Sequence, residues 1–264
     1  MGNAGDSKRQ IKSVTRSVEI LSLLRQLDGA TVTELATEVD LTPGTVHTHL
    51  STLRECGLAV KEHDDLYRLS LEFITMGEHV RNGSPLFKAG REIVDKLAMM
   101  SGESVHLITE KNGTEVILWE AFGQNAVGTE FYIHNRERPN RHLHYSASGK
   151  ALLAYLDSKR VDEIFDECGL VQQTPQTVTD REVLERQLQD VRERGYAFND
   201  EEGASGIRAV GAPIFDPKGQ VIGAVSLSAP AAKMSEELFR NKVPDVVVQT
   251  ANLIEVNLQA VLIG

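Results

Sequence analysis

Residues 31–58 restrict the possible folds of this chain more than any other stretch. Leu35, Ala36 and Val39 recur at helical spacing, with Thr33 expected as the cap, and Asp40-Leu41 then breaks the run. Thr42-Pro43 opens a second helix. Threonine is a favoured N-cap, and proline suits the first helical position, where its missing N–H would have had no partner. Val46, Leu50 and Leu53 follow at i, i+4 and i+7, and Gly57 ends the helix. Gly44, Thr45, His47, Thr48, Ser51 and Thr52 are left facing outward. Two short helices around a tight turn, the second coated with small polar side chains, is the layout of a helix-turn-helix that presents its second helix to the DNA major groove.

The flanks extend the motif to a winged helix. Val14, Val18, Leu21, Leu24 and Leu27 recur every three or four residues and predict an amphipathic helix packed on the other two. Downstream, Leu58–Glu62 and Leu66–Ser70 are strand-like runs around His63-Asp64-Asp65. Thr42, Thr45, His47, Thr48 and Ser51 are the candidates for the groove, with Thr45, His47 and Thr48 at base edges. Arg16, Arg54 and Arg68, with Lys61, are the candidates for phosphates, and Lys8, Arg9 and Lys12 make the first residues a basic arm.

Charge argues against strong non-specific DNA binding. The net charge is -10, and residues 1–70 hold eight Lys and Arg against ten Asp and Glu. Non-specific affinity comes mainly from cation–phosphate contacts, so this protein needs dimerisation or convergence of its few cations. An acidic balance fits a high-salt cytoplasm, where charges are screened within a few Å. A halophilic source is therefore expected, and full stability at low salt would contradict it. No run of 18 apolar residues and no leader peptide is evident. The two cysteines, Cys56 and Cys168, fall in different expected domains. A disulfide framework is not expected, and the chain reads as cytoplasmic.

The length suits two domains: 1–70, a winged helix-turn-helix; 71–84, a linker helix whose Leu71, Ile74 and Val80 could pair with a second subunit; and 85–264. In the last, Ser84-Pro85 opens a helix burying Leu86, Ala89, Ile93, Leu97 and Met100. Strands are predicted at Val105–Thr109, Glu115–Glu120, Glu130–Ile133, 196–199, 207–215 and 220–228. Helices are predicted after Ser146, after a Thr179–Glu182 capping box and at the C-terminus. The irregular alternation predicts an α+β domain. One face of the two late strands carries Ile207, Ala209, Gly211, Ala224, Ser226 and Ser228. Such small side chains leave room above the sheet for a small ligand.

These segments resemble the IclR family of transcriptional regulators over nearly the whole chain. The matching residues are Ser13–Leu21, the helix-turn-helix with Thr45-Val46-His47, Tyr67-Arg68-Leu69, His144–Leu153, Gly195-Tyr196-Ala197, Asp200-Glu201-Glu202 and Val221–Pro230. The resemblance implies an N-terminal winged helix, a GAF-like C-terminal effector domain, and dimers or dimers of dimers on double-stranded DNA. It further implies control of a metabolic operon by a small organic acid or aromatic effector. Carried over position by position, effector contacts are implied at Ala147, Ser148, Asn199, Ile207, Ala209, Gly211, Ser226 and Ser228. The turn at Ala147–Gly149 opens a helix whose free N–H groups would suit a carboxylate. Asn199 and Thr48 stand where some members carry an acid and an Arg, so ligand pattern and operator should differ from theirs.

An enzyme and a metal sensor are the competing functions. Ser146-Ala-Ser-Gly-Lys150 lacks Ser-x-x-Lys spacing, is not a nucleophile elbow, and is no P-loop because His144 stands where that motif needs glycine. His142 and His144 alternate along an expected strand with His134 near, but they lack carboxylate or thiol neighbours at ligand spacing. No catalytic residue, metal or cofactor is expected.

Overall fold

The computed structural model describes residues 10–127 and 141–263. Lys8, Arg9, the strand predicted at 130–133 and His134 lie outside the described residues. The chain divides into two compact units, one ending at Val80 and one beginning at Arg81.

In the first unit, α1 (Lys12–Gln26), α2 (Val32–Glu38) and α3 (Pro43–Glu55) enclose a core of Ile20, Leu24, Leu35, Val46, Leu50, Leu53 and Tyr67. The cap of α2 is Thr31 rather than Thr33. Its hydroxyl accepts from the Glu34 N–H while the Glu34 carboxylate accepts from the Thr31 N–H at 2.8 Å, a capping box. Asp40 takes the left-handed conformation at the turn, which aspartate tolerates. Thr42 caps α3, and Pro43 opens it. The predicted stripe of α1 divides. Leu24 faces the core with Leu21 packed against it, joined by Ile20 from outside the stripe, whereas Val14, Val18 and Leu27 are exposed. The wing is β1 (Ala59–Lys61) antiparallel to β2 (Tyr67–Leu69), with Val60 opposite Arg68. A helix α4 (Glu72–Gly83) follows with no buried residue.

The second unit is a five-stranded antiparallel sheet, β3 (Ser104–Lys111), β4 (Thr114–Phe122), β5 (Ala197–Asp200), β6 (Ile207–Phe215) and β7 (Val221–Pro230), ordered β4-β3-β7-β6-β5. On one face α5 (Pro85–Ser101) and the C-terminal α9 (Val243–Ile263) bury Val94, Leu97, Val210, Val225, Val247 and Ile254. On the other, α6 (Ala147–Leu153), α7 (Ser158–Cys168) and α8 (Arg181–Arg194) pack Leu152, Ile164 and Leu188 over Ile108 and Ala224.

Several expectations change in this unit. Met100 is exposed, and α5 instead buries Phe87, Val94 and Ala98. Asp180, not Thr179, caps α8 by accepting from the Val183 N–H at 3.0 Å. His142 and His144 do not alternate on a strand, because Leu143–Tyr145 is a 3-10 turn. The segment Leu238–Ile263 is long and apolar enough to cross a membrane by composition. Here Val247, Ala251, Ile254 and Leu258 from it are core residues packed on the sheet.

Candidate functional site

The candidate recognition surface of the first unit is the outer side of α3. Thr42, Thr45, His47, Thr48 and Arg54 are exposed there, and Ser51 is half-buried. The Thr48 hydroxyl donates to the Gly44 carbonyl and the Thr52 hydroxyl to the Thr48 carbonyl, both at 3.0 Å. Those protons are spent on the backbone, so these threonines present acceptor lone pairs and methyl groups outward. Such a surface suits the amino groups of adenine and cytosine and the thymine methyl. The expected phosphate contacts separate. Arg54 is exposed and has no side-chain partner among the described residues, whereas Arg16 pairs with Glu19 at 2.7 Å. Arg68 is committed internally: its guanidinium meets Asp28 at 2.6 Å and Glu62 at 3.0 Å. It ties the wing to the α1–α2 turn instead of pointing a free cation outward. Lys61 is likewise paired with Asp65 at 2.5 Å.

The second unit holds a cavity of about 190 Å³ between the sheet and the turn that enters α6. Seven of the nine residues expected at an effector line it: Ala147, Ser148, Asn199, Ile207, Ala209, Ser226 and Ser228. Strand register explains the grouping. Ser226 stands opposite Gly211 and His106, and Ser228 stands opposite Ala209, which in turn faces Asn199. Gly149 and Gly211 do not line the cavity; they allow close packing. A Cβ at Gly211 would lie 2.6 Å from the backbone of Ala147 and Ser148, and one at Gly149 would lie 2.2 Å from the Leu143 carbonyl oxygen. Gly211 lets α6 sit directly on β6, and Gly149 lets α6 close against the Leu143–Tyr145 turn, so that together they fix the height of the cavity wall.

The sequence reading missed the cavity's charged residues. Glu115, at the start of β4, is buried. Its Oε1 accepts from Arg141 Nη2 at 2.8 Å and Nε at 3.2 Å, and its Oε2 accepts from the hydroxyls of Ser146 at 2.5 Å and Ser148 at 3.1 Å. Burial disfavours the Arg141 cation, but Glu115 outweighs it and holds that pKa above the usual value. His106 also lines the cavity, with Nε2 2.9 Å from Glu120. Asn199 does double duty: its Oδ1 accepts from the backbone N–H of Glu202 at 2.8 Å and of Gly203 at 3.3 Å. It thereby holds the loop whose Gly203 and Ala204 close one side.

Beneath this loop lies a buried ion pair. Lys150 Nζ is 2.5 Å from Glu202 Oε1 and 3.3 Å from Gln187 Oε1. Burial pushes the lysine down and the glutamate up, each offset in part by the other. Thr174 and Thr177 donate to the Glu202 carbonyl from the opposite side.

His144 is buried, and its Nε2 donates to the Val171 carbonyl at 3.0 Å. Burial lowers its pKa to about 4, against the opposing pull of that bond. An unfolded histidine titrates near 6.5. Between those values the unfolded chain binds more protons than the folded one. Stability is therefore complete above about pH 6.5 and is lost as pH falls towards 4. The contribution is ~2 kcal/mol once partial solvent screening is discounted. Melting curves from pH 7 to 4.5 should show this slope, and His144→Gln should flatten it.

Comparison with known proteins fits both units. Residues 13–63 match the IclR helix-turn-helix domain, and residues 79–256 match the bacterial transcriptional regulator IclR C-terminal domain. The chain is 39% identical over 257 residues, 97% of each chain, to a probable HTH-type transcriptional regulator ArcR of Halobacterium salinarum. It is 29% identical to the HTH-type transcriptional regulator BhcR of Paracoccus denitrificans, over 95% of this chain and 88% of that one. Among solved structures, the Thermotoga maritima IclR superposes with a TM-score of 0.70 at 27% identity, covering 94% of this chain and 99% of that one. An IclR homologue of Microbacterium hydrocarbonoxydans, complexed with 4-hydroxybenzoate, has the same fold (TM-score 0.76, 21% identity, 94% and 99% covered).

Proposed function

The chain belongs to the IclR family of transcriptional regulators, and we propose that a small organic acid or hydroxyaromatic held in the second unit's cavity sets its affinity for an operator read by α3. The observation that carries this reading is the convergence of Ala147, Ser148, Asn199, Ile207, Ala209, Ser226 and Ser228 on one small cavity, in a chain whose other unit is a helix-turn-helix. A volume of about 190 Å³ suits a metabolite of a few carbons or a single ring. The 4-hydroxybenzoate in the Microbacterium relative is of that class. Ser226 and Ser228 supply hydroxyls for the ligand's acid group, and Thr45, His47, Thr48 and Arg54 meet the DNA. The protein acts as a homodimer or dimer of dimers in the cytoplasm. Leu71 just before α4 and Ile74 and Val80 on it are exposed, at 79%, 62% and 73%, and leave apolar side chains for pairing with a second copy. Its acidic charge suits high salt, as does its likeness to a Halobacterium protein. In this reading the protein regulates transcription and is not an enzyme.

The test measures operator binding against a panel of small acids that includes 4-hydroxybenzoate, for the wild type and Ser226→Leu. Leucine at this buried position fills the cavity. An active acid should change wild-type operator affinity at least about tenfold, a coupling of roughly 1.4 kcal/mol, and leave Ser226→Leu unmoved. An equal response in both proteins, or none to any acid in either, would contradict control through this cavity.

A further inference from the structure

The corner of the cavity formed by Arg141, Ser146 and Ser148 has the chemistry of an anion site: a guanidinium and two hydroxyl donors converging on one point. It already holds an anion. Glu115, projecting from β4, puts one oxygen on the guanidinium and the other on both hydroxyls, with its side chain only 2% exposed. We infer that Glu115 is a built-in counter-anion that occupies this anion subsite and thereby determines which effectors the cavity accepts. The inference rests on the cavity being the effector site.

The consequence for the ligand follows from charge. Arg141 is the one permanently cationic side chain lining the cavity among the described residues, and Glu115 neutralises it. A second carboxylate or a phosphate directed at this corner would meet a fixed carboxylate in a poorly solvated space, and like charges there disfavour each other strongly. The hydroxyl of Ser148 is spent on Glu115 and is not available to a ligand acid. A ligand group facing this corner must therefore donate a hydrogen bond or be uncharged. The class selected is a mono-acid carrying a hydroxyl or amine at its far end, with its acid directed to the Ser226 and Ser228 side. Dicarboxylates and phosphorylated compounds that would place their second charge in this corner are excluded.

The subsite can be read without knowing the effector. Glu115→Ala removes the internal anion and leaves its three donors in place, so a small carboxylate from solution should fill the gap. Thermal melting is measured with sodium formate replacing sodium chloride at constant total salt. Glu115→Ala should gain about 4 °C when formate reaches ten times its Kd. The wild type should gain clearly less, and Arg141→Gln combined with Glu115→Ala should fall back to the wild-type gain. Should Glu115→Ala be unfolded in chloride, the same titration reads recovery of the folded state. Formate stabilising the wild type as much as Glu115→Ala, or failing to stabilise or recover Glu115→Ala, overturns the inference. Because no DNA or effector enters the assay, such a failure leaves the regulator reading to stand or fall on operator binding.

Discussion

Thr45→Glu should fold as well as the wild type and bind its operator roughly 100-fold more weakly, a loss of about 2.7 kcal/mol. The two halves of that expectation have separate causes. Thr45 sits in the first turn of α3, its N–H donating to the hydroxyl of the cap Thr42 at 3.2 Å. Glutamate at this position completes a Thr-x-x-Glu capping box, and its charge is favourable at a helix N-terminus. The helix is therefore no less stable. On DNA the same carboxylate is carried by the helix into a groove lined by phosphates. There it replaces a hydroxyl and methyl with a charge that must be desolvated beside other negative charges. Circular dichroism and melting establish the fold, and fluorescence anisotropy on the operator measures the loss. An unchanged affinity would remove the N-terminal turn of α3 from the DNA interface.

Lys150→Met should cost about 3–5 kcal/mol of stability in the second unit, the largest loss expected of any single substitution discussed for it. The ammonium and the Glu202 carboxylate are both buried, with side chains 4% and 8% exposed, and Glu202 Oε2 has no hydrogen-bond partner among the described residues. Removing the lysine strands that carboxylate in a low-dielectric interior. It also releases the loop carrying Gly203 and Ala204 from below, though Thr174, Thr177 and Asn199 still hold its backbone. Replacing both partners, Lys150→Met with Glu202→Leu, should restore most of the loss, since an apolar pair of similar volume leaves no charge behind. Denaturant unfolding of the two single variants and the double variant measures this. Simple additivity of the two single losses would mean the pair is not coupled.

The two units differed in how much of them could be read from sequence. The recognition helix was legible because its signals are local: a cap, a proline at the first position and three apolar residues at fixed spacing all lie within Thr42–Leu53. The small-residue face of β6 and β7 was legible for the same reason, since alternation alone assigns it. Glu115 was not. Strict alternation along β4 would put Glu115 and Glu120 on opposite faces of the sheet. A bulge opposite Leu107/Ile108 inserts one extra residue, so that Leu118 and Trp119 both pack against the α5–α9 core. That shift brings both glutamates to the cavity side, and nothing local in Glu115–Glu120 marks it. Arg141 reaches the cavity through its pairing with Glu115, a contact 26 residues distant in sequence. The internal pairing of Arg68 was hidden for a similar reason. Glu62 lies within the wing, but the second partner, Asp28, is 40 residues away and cannot be seen from it.

Whether this chain reads a specific DNA sequence is decided by incubating the purified protein with fragmented genomic DNA of its source at several salt concentrations and sequencing what is retained. One near-palindromic site, with half-sites about one helical turn or a multiple apart, should be recovered beside a metabolic operon. No enrichment at any salt from folded protein, with and without small acids, would contradict sequence-specific binding.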